Sequence, residues 1–134
     1  MRDVIALLVS GPLAILFILM GLPLYFKKIG RNYFFGYRIS QYAMLDDDIW
    51  YAVNQQGGKH LIVIGSLLAV NCMFAVLFIG KPAAQGSILY VDLAITLTGV
   101  IYSILKGRAL NNYLAEEKGL RGHIHPQNIH KLNP

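Results

Sequence analysis

Charge is scarce in this 134-residue chain: 14% of it is Asp, Glu, Lys or Arg, and only seven residues are acidic. A typical soluble domain carries roughly 25% charge. The shortfall excludes a disordered chain, a charged coiled coil and a nucleic-acid module. Cysteine is nearly absent too. With Cys72 alone, no internal disulfide framework can form, and its place in an apolar run reads as a small filler. Also missing are internal repeats, low-complexity tracts, phosphate-cradling glycine loops, nucleophile–base pairs and cysteine–histidine clusters. Their absence leaves nothing to support an enzyme or a bound cofactor.

What the chain has is apolar residues, 55% of the total, and they come in runs. Segments 4–26 and 61–80 carry no charge, and 87–105 is interrupted only by Asp92. A spanning helix needs about 20 apolar residues, since hydrocarbon is ~30 Å thick and a helix rises ~1.5 Å per residue. The reading is an all-α membrane protein, one membrane domain over 1–134 with three transmembrane helices. The first run is too long for a signal-peptide core, ends in Tyr25-Phe26-Lys27-Lys28 and lacks an A-x-A cleavage pattern, so it is expected to stay as a span. Gly11-Pro12 predicts a bend within it.

Three spans put the N-terminus and the 81–86 turn on one side of the bilayer. Loop 27–60 and tail 106–134 share the other. Of the twelve basic residues, all but Arg2 and Lys81 fall on the loop-and-tail side. Positive charge stays cytoplasmic, which predicts a multi-pass protein with its N-terminus outside and its C-terminus inside. The net charge of +5 is thus a topology signal rather than a sign of a nucleic-acid partner.

Function is expected in loop 27–60. Residues 31–44 have no helical period but interleave Tyr33, Phe34, Phe35, Tyr37 and Tyr42 with Arg31 and Arg38, as suits a headgroup interface. Residues 46–58 predict a short interfacial amphipathic helix. Asp46 is a good N-cap, Asp47 and Asp48 favour the first turn, and Leu45 is placed to staple onto Trp50. Ile49, Trp50 and Val53 share a face, Asn54 lies beside Trp50, and Gly57-Gly58 is expected to end the helix. Three consecutive aspartates also suggest a metal or acid–base site. Adjacent helical positions fan out by roughly 100°, however, and capping accounts for them with less.

Asn32-x-x-x-Gly36-x-Arg38, a spacer, and Trp50-x-x-x-Asn54-x-x-x-Gly58-Lys59 running into a span resembles the signature of the SdpI family of small bacterial membrane proteins. The resemblance covers about residues 24–80; Arg31 and Ile39 stand where the family usually has Pro and Thr. It implies immunity to a secreted, membrane-acting toxic peptide, with signalling to a cytosolic regulator. On physical grounds Arg38 offers five fixed donors suited to a lipid phosphate, to the Asp46–Asp48 carboxylates or to helix-end carbonyls. Asn32 is suited to turning the backbone, Gly36 and Gly58 to unusual or close-packed backbone, and Trp50 to anchoring. The loop face around Arg38, Trp50 and Asn54 is either a partner-docking surface or an anchor to headgroups without a ligand.

Asp92 is the only ionisable residue within a span, a functional-site hypothesis by default, though its position near the start of the third run leaves contact with headgroup water open. Asn71, mid-span, should face another helix, and an Asn71–Asp92 hydrogen bond is expected only with offset helices or an intervening water. Gly65 and Ala69 form a small-x-x-x-small face. The tail should continue the third helix, with Leu110, Tyr113 and Leu114 on one stripe and Gly119 as its stop. His123, His125 and His130 are weak metal candidates, because Pro126 breaks any common face and no acid or cysteine completes a set. A bundle this small favours a homo-oligomer or a larger partner. The competing readings are a non-catalytic accessory subunit of a larger membrane complex and, more weakly, a proton- or metal-linked transporter using Asp92 and the histidines.

Overall fold

A computed structural model describes residues 4–32, 34–38 and 41–120. It has four helices: α1 (Ile5–Tyr25), α2 (Gln41–Leu45), α3 (Asp47–Leu77) and α4 (Pro82–Glu117). Three of them, α1, α3 and α4, are long and apolar enough to cross a membrane, and no strand occurs among the described residues. The fold is the expected all-α, three-span architecture with one short extra helix.

The elements differ from expectation in three places. The helix that starts at Asp46 does not stop at Gly57-Gly58 but runs unbroken into the second span, making α3 31 residues long. Neither glycine has the positive φ of a terminating residue; both serve close packing instead. The short separate helix is α2, lying where the sequence shows no helical period. The turn before the third span is 78–81 rather than 81–86, because Pro82 opens α4 at a position that suits a residue lacking an N–H.

Both α3 and α4 are longer than hydrocarbon requires. At ~1.5 Å per residue they measure about 46 and 54 Å, against ~30 Å of acyl chain. The surplus lies at one end of the bundle. There α2, the first turns of α3 and the last turns of α4 bury Ala43, Ile49, Trp50, Val53 and Ala115 together. A second cluster, Ala14, Ile64 and Leu68, sits mid-bundle, and a third, Ala6, Ala75 and Ile88, lies at the turn end.

Helix α1 packs mainly on α3, and α3 on α4. Both pairs are antiparallel. Gly21 meets Gly58 while Ala14 meets Gly65, and Ile64 meets Gly99 while His60 meets Ser103. A Cβ on Gly58 would stand 2.6 Å from the Gly21 carbonyl oxygen and 2.5 Å from the Tyr25 nitrogen. Small residues thus bring the α1 and α3 backbones into direct contact. The outward faces carry Leu8, Leu16, Leu67, Met73, Leu97 and Ile101, all exposed, as a surface solvated by lipid requires.

The C-terminal ends of α1 and α4 are closed by the backbone. Lys27 adopts φ 55° at the end of α1, with Lys28 N–H donating to Pro23 O and Lys27 N–H to Leu24 O. Gly119, φ 67°, does the same for α4, with Leu120 N–H donating to Ala115 O. Both are Schellman closures. Along α4, Leu110 and Leu114 pack on the core, whereas Tyr113 is exposed. It lies about 200° round the helix from buried Asn111, so the expected stripe lacks it.

Candidate functional site

The loop between α1 and α3 has little regular structure, and side chains supply its order. Asn32 turns the chain: its Oδ1 accepts from the N–H groups of Phe34 (2.9 Å) and Phe35 (2.7 Å), and its Nδ2 donates to Gly30 O (2.8 Å). Two residues one turn apart on α3 then hold the loop from below. Trp50 Nε1 donates to Ile29 O (3.1 Å). Asn54 Oδ1 accepts the Tyr37 N–H (2.6 Å) while its Nδ2 donates to Trp50 O (2.9 Å).

Gly36 makes this approach possible. It has φ 122°, and a Cβ there would lie 2.5 Å from Asn54 Oδ1 and 2.9 Å from the Trp50 ring. The next turn of α3 repeats the arrangement, with the Tyr37 ring against Gly57 and the α1 backbone against Gly58. The motif residues Asn32, Gly36, Trp50, Asn54 and Gly58 therefore form one continuous buttress. Trp50 is 0% exposed and Asn54 2%, so neither offers a docking surface. Arg38 and Phe34 face outward, the latter fully exposed.

The three aspartates are used structurally. Asp46 caps α3 by accepting the Ile49 N–H (3.0 Å). Lys118 Nζ reaches Asp46 at 2.8 Å and Asp48 at 2.7 Å, tying the end of α4 to the start of α3. Asp47 pairs with Arg31 Nε at 3.3 Å, and Arg31 also donates to Met44 O. The hydrogen bond from Lys118 holds the Asp46 carboxyl below its usual range, against a smaller opposing effect of burial. Asp46 and Asp48 in turn push the Lys118 ammonium up. Arg38 takes none of these carboxylates. Among the described residues, no group of His, Cys, Asp and Glu is arranged to hold a metal.

A hydroxyl chain fastens the loop to the bundle. Tyr37 Oη lies 2.8 Å from Ser103 Oγ, which lies 3.1 Å from His60 Nδ1. Burial raises the Tyr37 pKa, and the Ser103 hydrogen bond offsets part of that rise. Tyr37–Ser103 does not follow from spacing, because the loop has no period that would set its register against α4, and Ser103–His60 depends on the register of α3 against α4, which hydropathy leaves open.

A second polar cluster lies about 16 Å along α4 from Ser103. Asp92, 3% exposed, accepts from Asn71 Nδ2 (2.8 Å) and from the Ser10 hydroxyl. Asn71 also donates to Ile88 O (3.1 Å), and Gln85 Nε2 to Ala75 O (2.8 Å). Asn71 and Asp92 meet directly, without a bridging group or an offset of the helices, in the same antiparallel register as Ile64–Gly99 and His60–Ser103. Ser10 escaped the sequence reading, although it is the one small polar side chain in run 4–26. Cys72 is half-buried, beside Gly11. His123, His125 and His130 lie outside the described residues.

A family model described as the SdpI/YfhL protein family matches residues 28–106, which include the buttress, all of α3 and most of α4. No curated protein and no solved structure matches the chain.

Proposed function

The chain belongs to the SdpI/YfhL protein family, and from that premise we propose that it protects a bacterial cell against a membrane-acting toxic peptide. In this reading a cytosolic regulator docks on the loop end of the bundle. The carrying observation is the buttress: Gly36, Trp50, Asn54 and Gly58 hold a loop rigidly against α3 and leave Arg38 outward. A surface with few internal degrees of freedom binds a partner at lower ordering cost. Recognition in this proposal rests on Arg38 and Phe34, while Trp50 and Asn54 support them.

The proposal sets the loop end in the cytoplasm of the inner membrane and the N-terminus outside, on the bias of Lys and Arg toward that end. Cysteine labelling checks the orientation. In a Cys72→Ser background, Lys81→Cys should react with an impermeant maleimide in intact cells, and Lys118→Cys only after lysis.

Protection is tested by expressing wild type, Arg38→Ala and Lys81→Ala in a sensitive host challenged with candidate peptides. Wild type and Lys81→Ala should rescue growth, and Arg38→Ala should not. Equal survival with wild type and Arg38→Ala would remove Arg38 from the mechanism. No rescue by any form, together with co-purification in a larger assembly, would favour an accessory subunit instead.

A further inference from the structure

Between the loop, α3 and α4 lies an open groove of about 440 Å³, lined by Tyr37, Arg38, Leu61, Val100, Ile104 and Arg108 among others. Two features bear on what it holds. First, among the described residues neither of its two guanidinium groups pairs with a carboxylate. The described ion pairs use Arg31 and Lys118, and the loop-end aspartates are all engaged there. Second, Val100, Ile104 and Arg108 stand at i, i+4 and i+8 on α4, one straight stripe about 12 Å long, aliphatic for two turns and cationic at its end. Leu61 supplies the facing wall from α3.

This order matches an amphiphile lying along the helix, with its anionic head at the membrane surface and its chain descending beside Ile104, Val100 and Leu61. The geometry points to this groove as a binding site for one anionic phospholipid, its phosphate held by Arg38 and Arg108. Guanidinium forks suit phosphate oxygens bidentately. The aliphatic walls distinguish a lipid from a free phosphate, which would use only the head of the groove. The site goes beyond the protection reading and has its own readout, since lipid retention and cell survival can each fail alone.

The test is native mass spectrometry of the purified full chain released from micelles doped with phosphatidylglycerol, phosphatidylcholine or inorganic phosphate. Wild type should retain one phosphatidylglycerol in preference to phosphatidylcholine. Each of Arg38→Gln and Arg108→Gln should lower that preference about fivefold, the scale of one basic residue at an anionic surface. The double variant should show none, and Lys27→Gln/Lys28→Gln, at the same end but outside the groove, should match wild type. Circular dichroism controls for folding, and exposed Arg108 carries the test if the loop variant misfolds. Equal retention by wild type and the double variant would overturn the site. So would an equal loss in the lysine pair, which would mark diffuse charge, or displacement of the lipid by millimolar phosphate, which would mark a phosphate site.

Discussion

The Asn54 amide is used at both ends, accepting the Tyr37 N–H and donating to the Trp50 carbonyl from a position that is 2% exposed. Asn54→Leu keeps the bulk and leaves that N–H without its acceptor, which costs about 1–3 kcal/mol. Gly36→Ala forces a Cβ into the space of Asn54 Oδ1 at a φ that alanine avoids, at a similar cost of roughly 1–3 kcal/mol. Both changes should lower the melting temperature in detergent. Because Trp50 is the only tryptophan, its emission reports the same site and should shift to the red in both. An unshifted spectrum would mean the loop is held elsewhere. The four-residue steps from Trp50 to Asn54 to Gly58 were visible in the sequence because they follow helical periodicity. That Ile29, Gly36 and Tyr37 are their partners was not, because a loop without a period gives no register, and burial of the motif residues depends on that register.

Among elements, the glycines of α3 and α4 show why composition alone misleads. Gly57-Gly58 looks like a stop in sequence, since glycine both ends helices and lets them touch, and only the neighbouring backbone distinguishes the two uses. Gly58→Ala meets α1 backbone atoms at 2.5 and 2.6 Å, so the helices must part, at about 1–3 kcal/mol. Gly86 has nothing within 4 Å, and Gly86→Ala in the first turns of α4 should stabilise by about 0.5–1 kcal/mol through the unfolded chain. Opposite signs of the two melting shifts in detergent are the expected result.

The ionic clasp between α4 and α3 has a pH signature. Asp46 has a depressed pKa, so its contribution is complete above about pH 4 and fades as pH falls through the lowered value; Lys118 has a raised one, so its contribution is complete below about pH 10 and fades as pH rises through it. The difference in melting temperature between wild type and Lys118→Gln should therefore be flat near neutrality and shrink toward both extremes. A difference that grows on acidification would assign the clasp to other groups.

For the molecule as a whole, hydropathy and charge placement made the class and the number of spans legible, since hydrocarbon thickness fixes run length. Of how the spans are fastened they showed only the Asn71–Asp92 pair. The fastening consists of two polar clusters near opposite ends of the bundle, Tyr37–Ser103–His60 at the loop end and Ser10–Asp92–Asn71 toward the turn end. The second joins all three spans, and its central carboxyl uses both oxygens. Removing Asn71 alone strands Asp92 Oδ1, Asp92→Asn leaves a single amide oxygen for the Ser10 and Asn71 donors while Asn71 keeps Ile88 O, and with both changed that oxygen serves Ser10 alone. The costs of Asn71→Leu and Asp92→Asn should therefore be non-additive, with a coupling of about 0.5–1.5 kcal/mol in the range of polar contacts between membrane helices. A double-mutant cycle on reversible unfolding in mixed micelles measures it, with Ser66→Ala, an exposed hydroxyl on α3 bonded only to its own helix, as the uncoupled reference. Coupling to Asp92 no larger than that of Ser66 would mean that apolar packing, rather than this cluster, aligns the spans.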